Sequence, residues 1–256
     1  DSAQCISMEK RCDKIFHCKD HSDERNCSFQ TKNHYDKKLP PTESDDKTQV
    51  NISVTVLDIL QLNEKQKMYV AKVGIEITWK DSRVSFLSLN HDSSRNLISN
   101  YKDLWIPATK FTNEAPHAKQ HIVEDDITVT ATIYENGTLN DNDELKKDII
   151  YKKHSITKKS IFAGTFTCYF SNIDLYPFDT ENCFLNIVIS GEDYHFTKII
   201  PKKLTYKGRT DIARIVVQDW TMTETVFDDG LLGVQVKIKL GRKLSSIFLV
   251  TYLPTI

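Results

Sequence analysis

In the stretch VAKVGIEITW (70–79), Val73, Ile75, Ile77 and Trp79 alternate with Lys72, Gly74, Glu76 and Thr78. A period of two puts the first set on one side of an extended chain and the second on the other, which is the pattern of a half-buried strand. VNISVTVLDIL shows the same alternation, with Val50, Ile52, Val54, Val56 and then Leu57 marking a buried face. Further strands are predicted over 127–134, 154–170, 183–190, 212–227 and 231–240, with turn signals at ENG (135–137) and DDG (228–230). Many antiparallel strands with half-polar faces predict an all-β chain folded as a β-sandwich. Helical spacing is faint outside DELKKDIIYKK (143–153). That segment is predicted to form a short amphipathic helix with Leu145, Ile149 and Ile150 on one face.

The six cysteines are unevenly spread. Cys5, Cys12, Cys18 and Cys27 crowd the start of the chain, and Cys168 and Cys183 stand alone near its middle. An even count in this arrangement reads as disulfides made in an oxidising compartment. Sequons at Asn51 and Asn136 agree with an extracellular location and are the candidate glycan acceptors, while Asn26 is a poorer one beside Cys27. The formal net charge of −1 gives no reason to expect nucleic acid. A phosphate-binding glycine loop, HExxH and GxSxG are all missing, and the histidines have no metal-ligand spacing, so an enzyme is not expected. No signal peptide is visible, so the chain is read as starting after cleavage. The apolar LSSIFLVTYLPTI (244–256) reads as the opening turns of a membrane helix.

The segment CYFSNIDLYPFDTENC (168–183) holds Tyr176-Pro177-Phe178-Asp179 between its two cysteines. It resembles the signature loop of the Cys-loop receptors, the pentameric ligand-gated ion channels, in which two bonded cysteines enclose about thirteen residues. Other segments resemble that family in the right order. HYDKKLPP (34–41) is similar to the lead-in to its first strand, and LNEKQK (62–67) to the turn between its first two strands. WKDSRV (79–84) and LWIP (104–107) resemble two tryptophan motifs, with Ala108 in place of an Asp. Arg242, ahead of Tyr252 and Pro254, matches the arginine before the first membrane helix.

That resemblance implies an immunoglobulin-like sandwich over 29–241, with 242–256 beginning a transmembrane helix. It implies a homo- or hetero-pentamer in the cell membrane, this part extracellular, opened by a small-molecule agonist. Glu64, Pro177, Phe178, Asp179 and Arg242 are the expected coupling residues above the membrane, with Cys168 bonded to Cys183. The expected pocket between subunits takes Phe111, Thr112, Ser190, Glu192, Tyr194 and Phe227 from one subunit. The other contributes Gly74, Glu76 and Thr78. Phe111, Tyr194 and Phe227 would form a partial aromatic box, with Glu76, Glu192 or Asp193 attracting a cation. The helix expected at 143–153 would lie on the face meeting the next subunit, beside or over that pocket. A soluble pentameric binding protein with the same sandwich is the alternative, and the apolar tail argues against it.

Residues 1–28 are similar to the C-terminal half of an LDL-receptor class A module. The resemblance implies a Cys12–Cys27 disulfide and a Ca²⁺ site with carboxylates from Asp13, Asp23 and Glu24 and carbonyls from Lys10 and Ile15. His17 stands where the pattern has another Asp. Cys5 and Cys18 pair with each other or with residues outside this sequence. No other cofactor is implied.

Overall fold

The alternation that organises residues 70–79 is realised as a strand in which every second side chain is buried. Tyr69, Ala71, Val73, Ile75, Ile77 and Trp79 are each at most 2% exposed, while Gly74, Glu76 and Thr78 occupy the other, half-exposed face. The computed structural model describes residues 6–7, 10, 15–24, 29–31, 34–41, 47–87, 96, 98, 101–116, 121–131, 138–139, 149–151, 154–169, 176–190, 192–212, 214–227 and 230–248.

Its strands are β1 (Phe29–Thr31), β2 (Thr48–Asn63), β3 (Met68–Trp79), β4 (Val84–Leu87), β5 (Thr109–Phe111), β6 (His121–Ala131) and β7 (Thr138–Leu139). They continue as β8 (Ile149–Tyr151), β9 (His154–Tyr169), β10 (Thr180–Ile189), β11 (Thr197–Tyr206), β12 (Asp211–Ile212), β13 (Ile215–Val226) and β14 (Leu232–Arg242). One helical turn, α1 (Leu244–Ile247), follows. The smaller sheet runs β1-β4-β8-β7. The larger runs β11-β2-β3-β9-β10-β14-β13-β12, with β5 on β10 and β6 on β9. The all-β expectation holds.

The chain divides into two units, each drawn from three stretches of sequence. The first comprises Asp1–Gln49, Thr78–Ile106 and Asp126–Lys158. Within it the two tryptophan motifs and the segment at 34–41 converge. Asp81, 1% exposed, is clasped by Arg83, with Nε 2.9 Å from Oδ1 and Nη2 2.9 Å from Oδ2. The same guanidinium lies 4.7 Å from the centre of the Tyr35 ring, and the Tyr35 hydroxyl accepts the Trp105 N–H at 2.7 Å. Asp81 accepts both bonds from Arg83, whose guanidinium rests on the Tyr35 ring, and this pairing is what a buried charge needs to be tolerated. Trp79 and Trp105 meet edge to face.

The second unit comprises Val50–Ile77, Pro107–Asp125 and Lys159–Ile256. Its interior holds the alternating apolar residues of β10 and β14, with Leu185 and Ile187 against Val234, Val236 and Ile238, all fully buried. Tyr69, Phe111 and Phe166 cluster beside them. The Tyr69 hydroxyl donates to the Phe184 carbonyl at 2.7 Å, as a buried phenol must.

Four expectations change. Residues 149–151 form β8, paired with β7 through Thr138↔Ile150 and Leu139↔Ile149, so the helical face expected at Ile149 and Ile150 does not exist. Leu145 lies outside the described residues. The stretch 29–49, read as a connector, begins with β1, whose Phe29 pairs with Phe86 of β4. In β2 the buried series passes from Val56 to Ile59, while Leu57 is only half-buried. Strand β11 was not expected at all. It carries Pro201 and three lysines, and it ends the strand order, where a residue without an N–H is tolerated.

Gly233 marks the tightest approach in this unit. A Cβ there would fall on the Ile187 carbonyl oxygen and come 2.7 Å from both Phe227 Cε2 and Val188 Cγ1. A methyl set against backbone has nowhere to go. Gly233→Ala is expected to cost about 1–3 kcal/mol by overpacking, lowering the melting midpoint by several degrees. At Gly241 the obstruction is the exposed end of the Gln218 side chain, which can move away. Gly241→Ala is therefore expected to melt close to wild type. Thermal unfolding of both variants checks the contrast, and equal losses would contradict it.

Candidate functional site

Strands β10 and β14 are antiparallel, with Thr180 opposite Gly241 and Glu181 opposite Leu240. That register sets Asp179, just before β10, beside Arg242 at the end of β14. The guanidinium takes Asp179 in a two-point fork, Nε to Oδ1 at 2.6 Å and Nη2 to Oδ2 at 2.9 Å. It reaches Glu64, in the turn after β2, from Nη1 at 3.3 Å and Nη2 at 3.1 Å. Its far side lies over the Tyr176 ring, 4.9 Å from the centroid. The expected coupling residues Glu64, Asp179 and Arg242 are thus brought together by ion pairs.

Sequence reasoning missed two members of this cluster. Glu181 sends Oε1 to within 3.3 Å of Arg242 Nη2, and its side chain is 5% exposed. Its signal was present: it stands two residues after Asp179, the interval that returns a strand to the same face. Tyr176 is the other: beyond its place in the turn it serves as the cation–π partner of Arg242. Burial pushes Glu181 up to about 7, and the charge of Glu64 adds to this, against the opposing pull of Arg242 and with a further push from Asp179. The hydrogen-bonded carboxylate of Asp179 holds Arg242 above its already high ordinary value.

Cys168 and Cys183 are cross-strand partners on β9 and β10 and are disulfide-bonded. They stand 15 apart in sequence, one residue more than the spacing expected from the resemblance. In the chain-entropy picture such a closure is worth roughly 3 kcal/mol. Residues 170–175 of the loop lie outside the described set. At its tip the Tyr176-Pro177 bond is cis. Pro177 is buried, while Tyr176 is 51% and Phe178 68% exposed. The proline is thus anchored inward while the two aromatics are displayed outward.

The expected pocket residues divide. Phe111 is 8% exposed, opposite Ile187, and edge-on to Phe162 and Phe166. It belongs to the core, so the expected aromatic box loses it; alternation gives the outward position to Thr112, which is exposed. Ser190, after β10, bonds the Ala108 carbonyl through N–H at 2.7 Å and Oγ at 3.1 Å. Phe227 is half-exposed, in a turn where its N–H meets the Leu231 carbonyl. Glu192 and Tyr194 fall in the 3-10 turn Glu192–His195, and their side chains lie outside the described set. Gly74, Glu76 and Thr78 share the outward face of β3, separated from β10 by β9 in the sheet order. Glu76 is already 3.5 Å from Lys159. The predicted register of this strand, with Trp79 inside and Glu76 outside, is the one observed.

At the start of the chain, Asp23 is 2% exposed and its Oδ2 accepts the backbone N–H groups of His17 and Cys18. Against desolvation, these bonds hold its carboxyl below the ordinary value. Glu24 follows it in the 3-10 turn Ser22–Glu24. Asp13, Cys5, Cys12 and Cys27 lie outside the described residues. Among the described residues Cys18 is a free thiol, and no group of three or more His, Cys, Asp and Glu side chains is placed to hold a metal. Asn51 is half-buried in β2 with its side-chain oxygen enclosed, and Asn136 is outside the described set.

Truncating Arg242 would leave Asp179, whose side chain is 3% exposed, as an uncompensated buried charge. Arg242→Ala is expected to destabilise by about 3–5 kcal/mol. Arg242→Lys keeps the charge but not the fork, and should recover only part of that. Melting midpoints of the two variants order them. A lysine variant indistinguishable from wild type would show that the fork geometry does not matter.

The chain matches the family described as "Neurotransmitter-gated ion-channel ligand binding domain" over residues 24–225. It is 25% identical to the mouse gamma-aminobutyric acid receptor subunit theta over 243 residues, covering 87% of this chain and 32% of that protein. Against the betaine receptor acr-23 of Caenorhabditis elegans it is 21% identical over 188 residues, 73% of this chain and 31% of the receptor. A shorter match, 30% identical over 80 residues, is to the rat acetylcholine receptor subunit beta, covering 31% of this chain and 16% of that one. The chain therefore spans at most about a third of each of these relatives. The matched region holds the tryptophan motifs, the disulfide loop and the strands from β1 to β12 with nearly all of β13, and the chain belongs to the neurotransmitter-gated ion-channel ligand-binding domain family.

Proposed function

We propose that this chain is the extracellular ligand-binding part of a subunit of a pentameric ligand-gated ion channel, coupling agonist binding between subunits to opening of a membrane pore. The observation that carries this reading is the Arg242 cluster. Arg242 ties the turn after β2, the disulfide loop and the end of β14 at one place, immediately before the apolar segment 244–256. A soluble binding protein has no use for a buried charge cluster beside such a tail. Among the described residues no helix is long and apolar enough to cross a membrane, so the pore is assigned to the remainder of the receptor.

The agonist is read as a small molecule held near Thr112, Ser190 and Phe227 of one subunit and Gly74, Glu76 and Thr78 of the next. Glu192 and Tyr194 would complete the first set. The relatives' names place acetylcholine, gamma-aminobutyric acid and betaine in the panel to be tried. The N-terminal stretch is read as part of an LDL-receptor class A module. Asp23 and Glu24, with Asp13 and the carbonyls of Lys10 and Ile15, are an all-oxygen donor set of the kind Ca²⁺ takes, and the ion would serve there as a structural tie.

Current recordings from the full-length receptor against that panel, with protons and divalent ions included, test the channel reading. Glu64→Gln and Asp179→Asn are expected to weaken gating while leaving agonist binding in place. Coupling energies of the usual size correspond to shifts of about 5–150-fold in half-maximal concentration. Unchanged currents in both variants would remove the coupling role.

A further inference from the structure

We propose that Glu181 is a proton-binding site, and that its occupancy decides how Arg242 is shared among the three carboxylates around it. The inference rests on the coupling reading above for its consequence, but not for its chemistry.

The argument begins with a shortage of donors. Arg242 Nη2 carries two hydrogens. Three carboxylate oxygens lie within reach of it: Asp179 Oδ2 at 2.9 Å, Glu64 Oε2 at 3.1 Å and Glu181 Oε1 at 3.3 Å. Asp179 also holds Nε, and Glu64 also holds Nη1. Glu181 has neither advantage: its only contact with the guanidinium is the longest of the three. Its second oxygen, Oε2, is buried and has no hydrogen-bond partner among the described residues. A buried carboxylate oxygen in this position is costly while charged, and a proton removes the cost.

The groups facing Glu181 agree. From its own segment comes Asp179, from the turn after β2 Glu64, and from β14 Arg242. Its cross-strand partner on β14 is Leu240, which carries no charge. Three acids therefore surround one base. Protonating Glu181 removes one of two surplus negative charges and turns the carboxyl into an O–H donor beside two carboxylate acceptors. Nη2 is then left to Asp179 and Glu64, so acid form and charged form differ in how firmly Glu64 is tied to Arg242.

The direction of pH dependence follows. Glu181 titrates near 7 in the folded chain, above an unfolded glutamate. A raised carboxyl favours the folded state at low pH; that contribution is full below about pH 4.3, falls as pH rises, and is gone above about 7. Mild acid should therefore tighten the cluster, and mild alkali should loosen it.

The test uses the purified full-length receptor and protons alone. Melting midpoints are recorded from about pH 4 to about 8.5 for wild type, Glu181→Gln and Glu64→Gln. Wild type should agree with Glu181→Gln near pH 4, lose several degrees relative to it between about pH 4.3 and 7, and stay at a constant difference above that. Glu64→Gln should move the wild-type transition to lower pH, because a neighbouring negative charge has been removed. Parallel curves for wild type and Glu181→Gln would overturn the proposal, as would a Glu181→Gln receptor that melts below wild type at every pH. If Glu181→Gln yields no receptor, an unmoved transition in Glu64→Gln overturns it instead. Failure of the coupling reading shows separately, as unaltered currents in Glu64→Gln and Asp179→Asn with the melting transition intact.

Discussion

The interaction on which this end of the second unit depends is the fork between Arg242 and Asp179. It is nearly buried, with side chains 12% and 3% exposed. Such a pair is a weak source of net stability, because desolvating both ions consumes most of their attraction. Its value is geometric. A planar guanidinium held at two points has one orientation, and that orientation fixes the remaining N–H groups toward Glu64 and Glu181 and a flat face toward Tyr176. Three chain segments with no sequence proximity are set in relation to one another by one side chain. The β10–β14 register makes this possible, since antiparallel pairing brings the start of one strand to the end of the other.

The disulfide supports the same arrangement from the other side of β10. Cys183 lies on β10 only a short way beyond Asp179 and Glu181, and its bond to Cys168 closes the loop that displays Tyr176 and Phe178. The arginine positions the tip and the sulfur bridge positions its base. An exposed Phe and Tyr on a segment anchored at both ends lose little further freedom when they meet an apolar partner, so ordering them on contact costs little.

Much of this was legible in the sequence because strand periodicity is local. Trp79 inside with Glu76 and Thr78 outside follows from alternation alone. What escaped were features that depend on neighbours distant in sequence. β11 is polar and carries Pro201, and only its place at the end of the strand order makes that composition acceptable. The helical spacing in 143–153 was overridden at Ile149–Tyr151 by pairing with β4 and β7. Phe111 is placed in the pocket by the resemblance, but it pairs with Ile187 across the sheet and packs on Phe162 and Phe166 inside the core. Glu181 looked like an ordinary strand acid until the arginine supplied from β14 gave it a role.

The two candidate regions occupy opposite ends of the same pair of strands. β10 begins beside Asp179 and ends beside Ser190, and β14 begins beyond the Phe227 turn and ends at Arg242. Ten residues of strand span about 30 Å. Between the ends the strands are tied by backbone pairing and by a polar rung, Gln235 Nε2 to Asn186 Oδ1 at 3.0 Å, with the Asn186 N–H meeting Asn113 Oδ1 at 2.9 Å. Paired strands with a fully buried face neither stretch nor slip, because slipping by one residue would turn that face outward. On the coupling proposed above, a displacement near Ser190 and Phe227 would reach the far end through this paired ladder and not through a slip between its strands. The far end is where Arg242 gathers Asp179, Glu64 and Glu181. Two of the buried acids among the described residues, Asp179 and Glu181, meet there, and a cluster with fewer N–H donors than carboxylate acceptors is one whose bonds redistribute under a small movement.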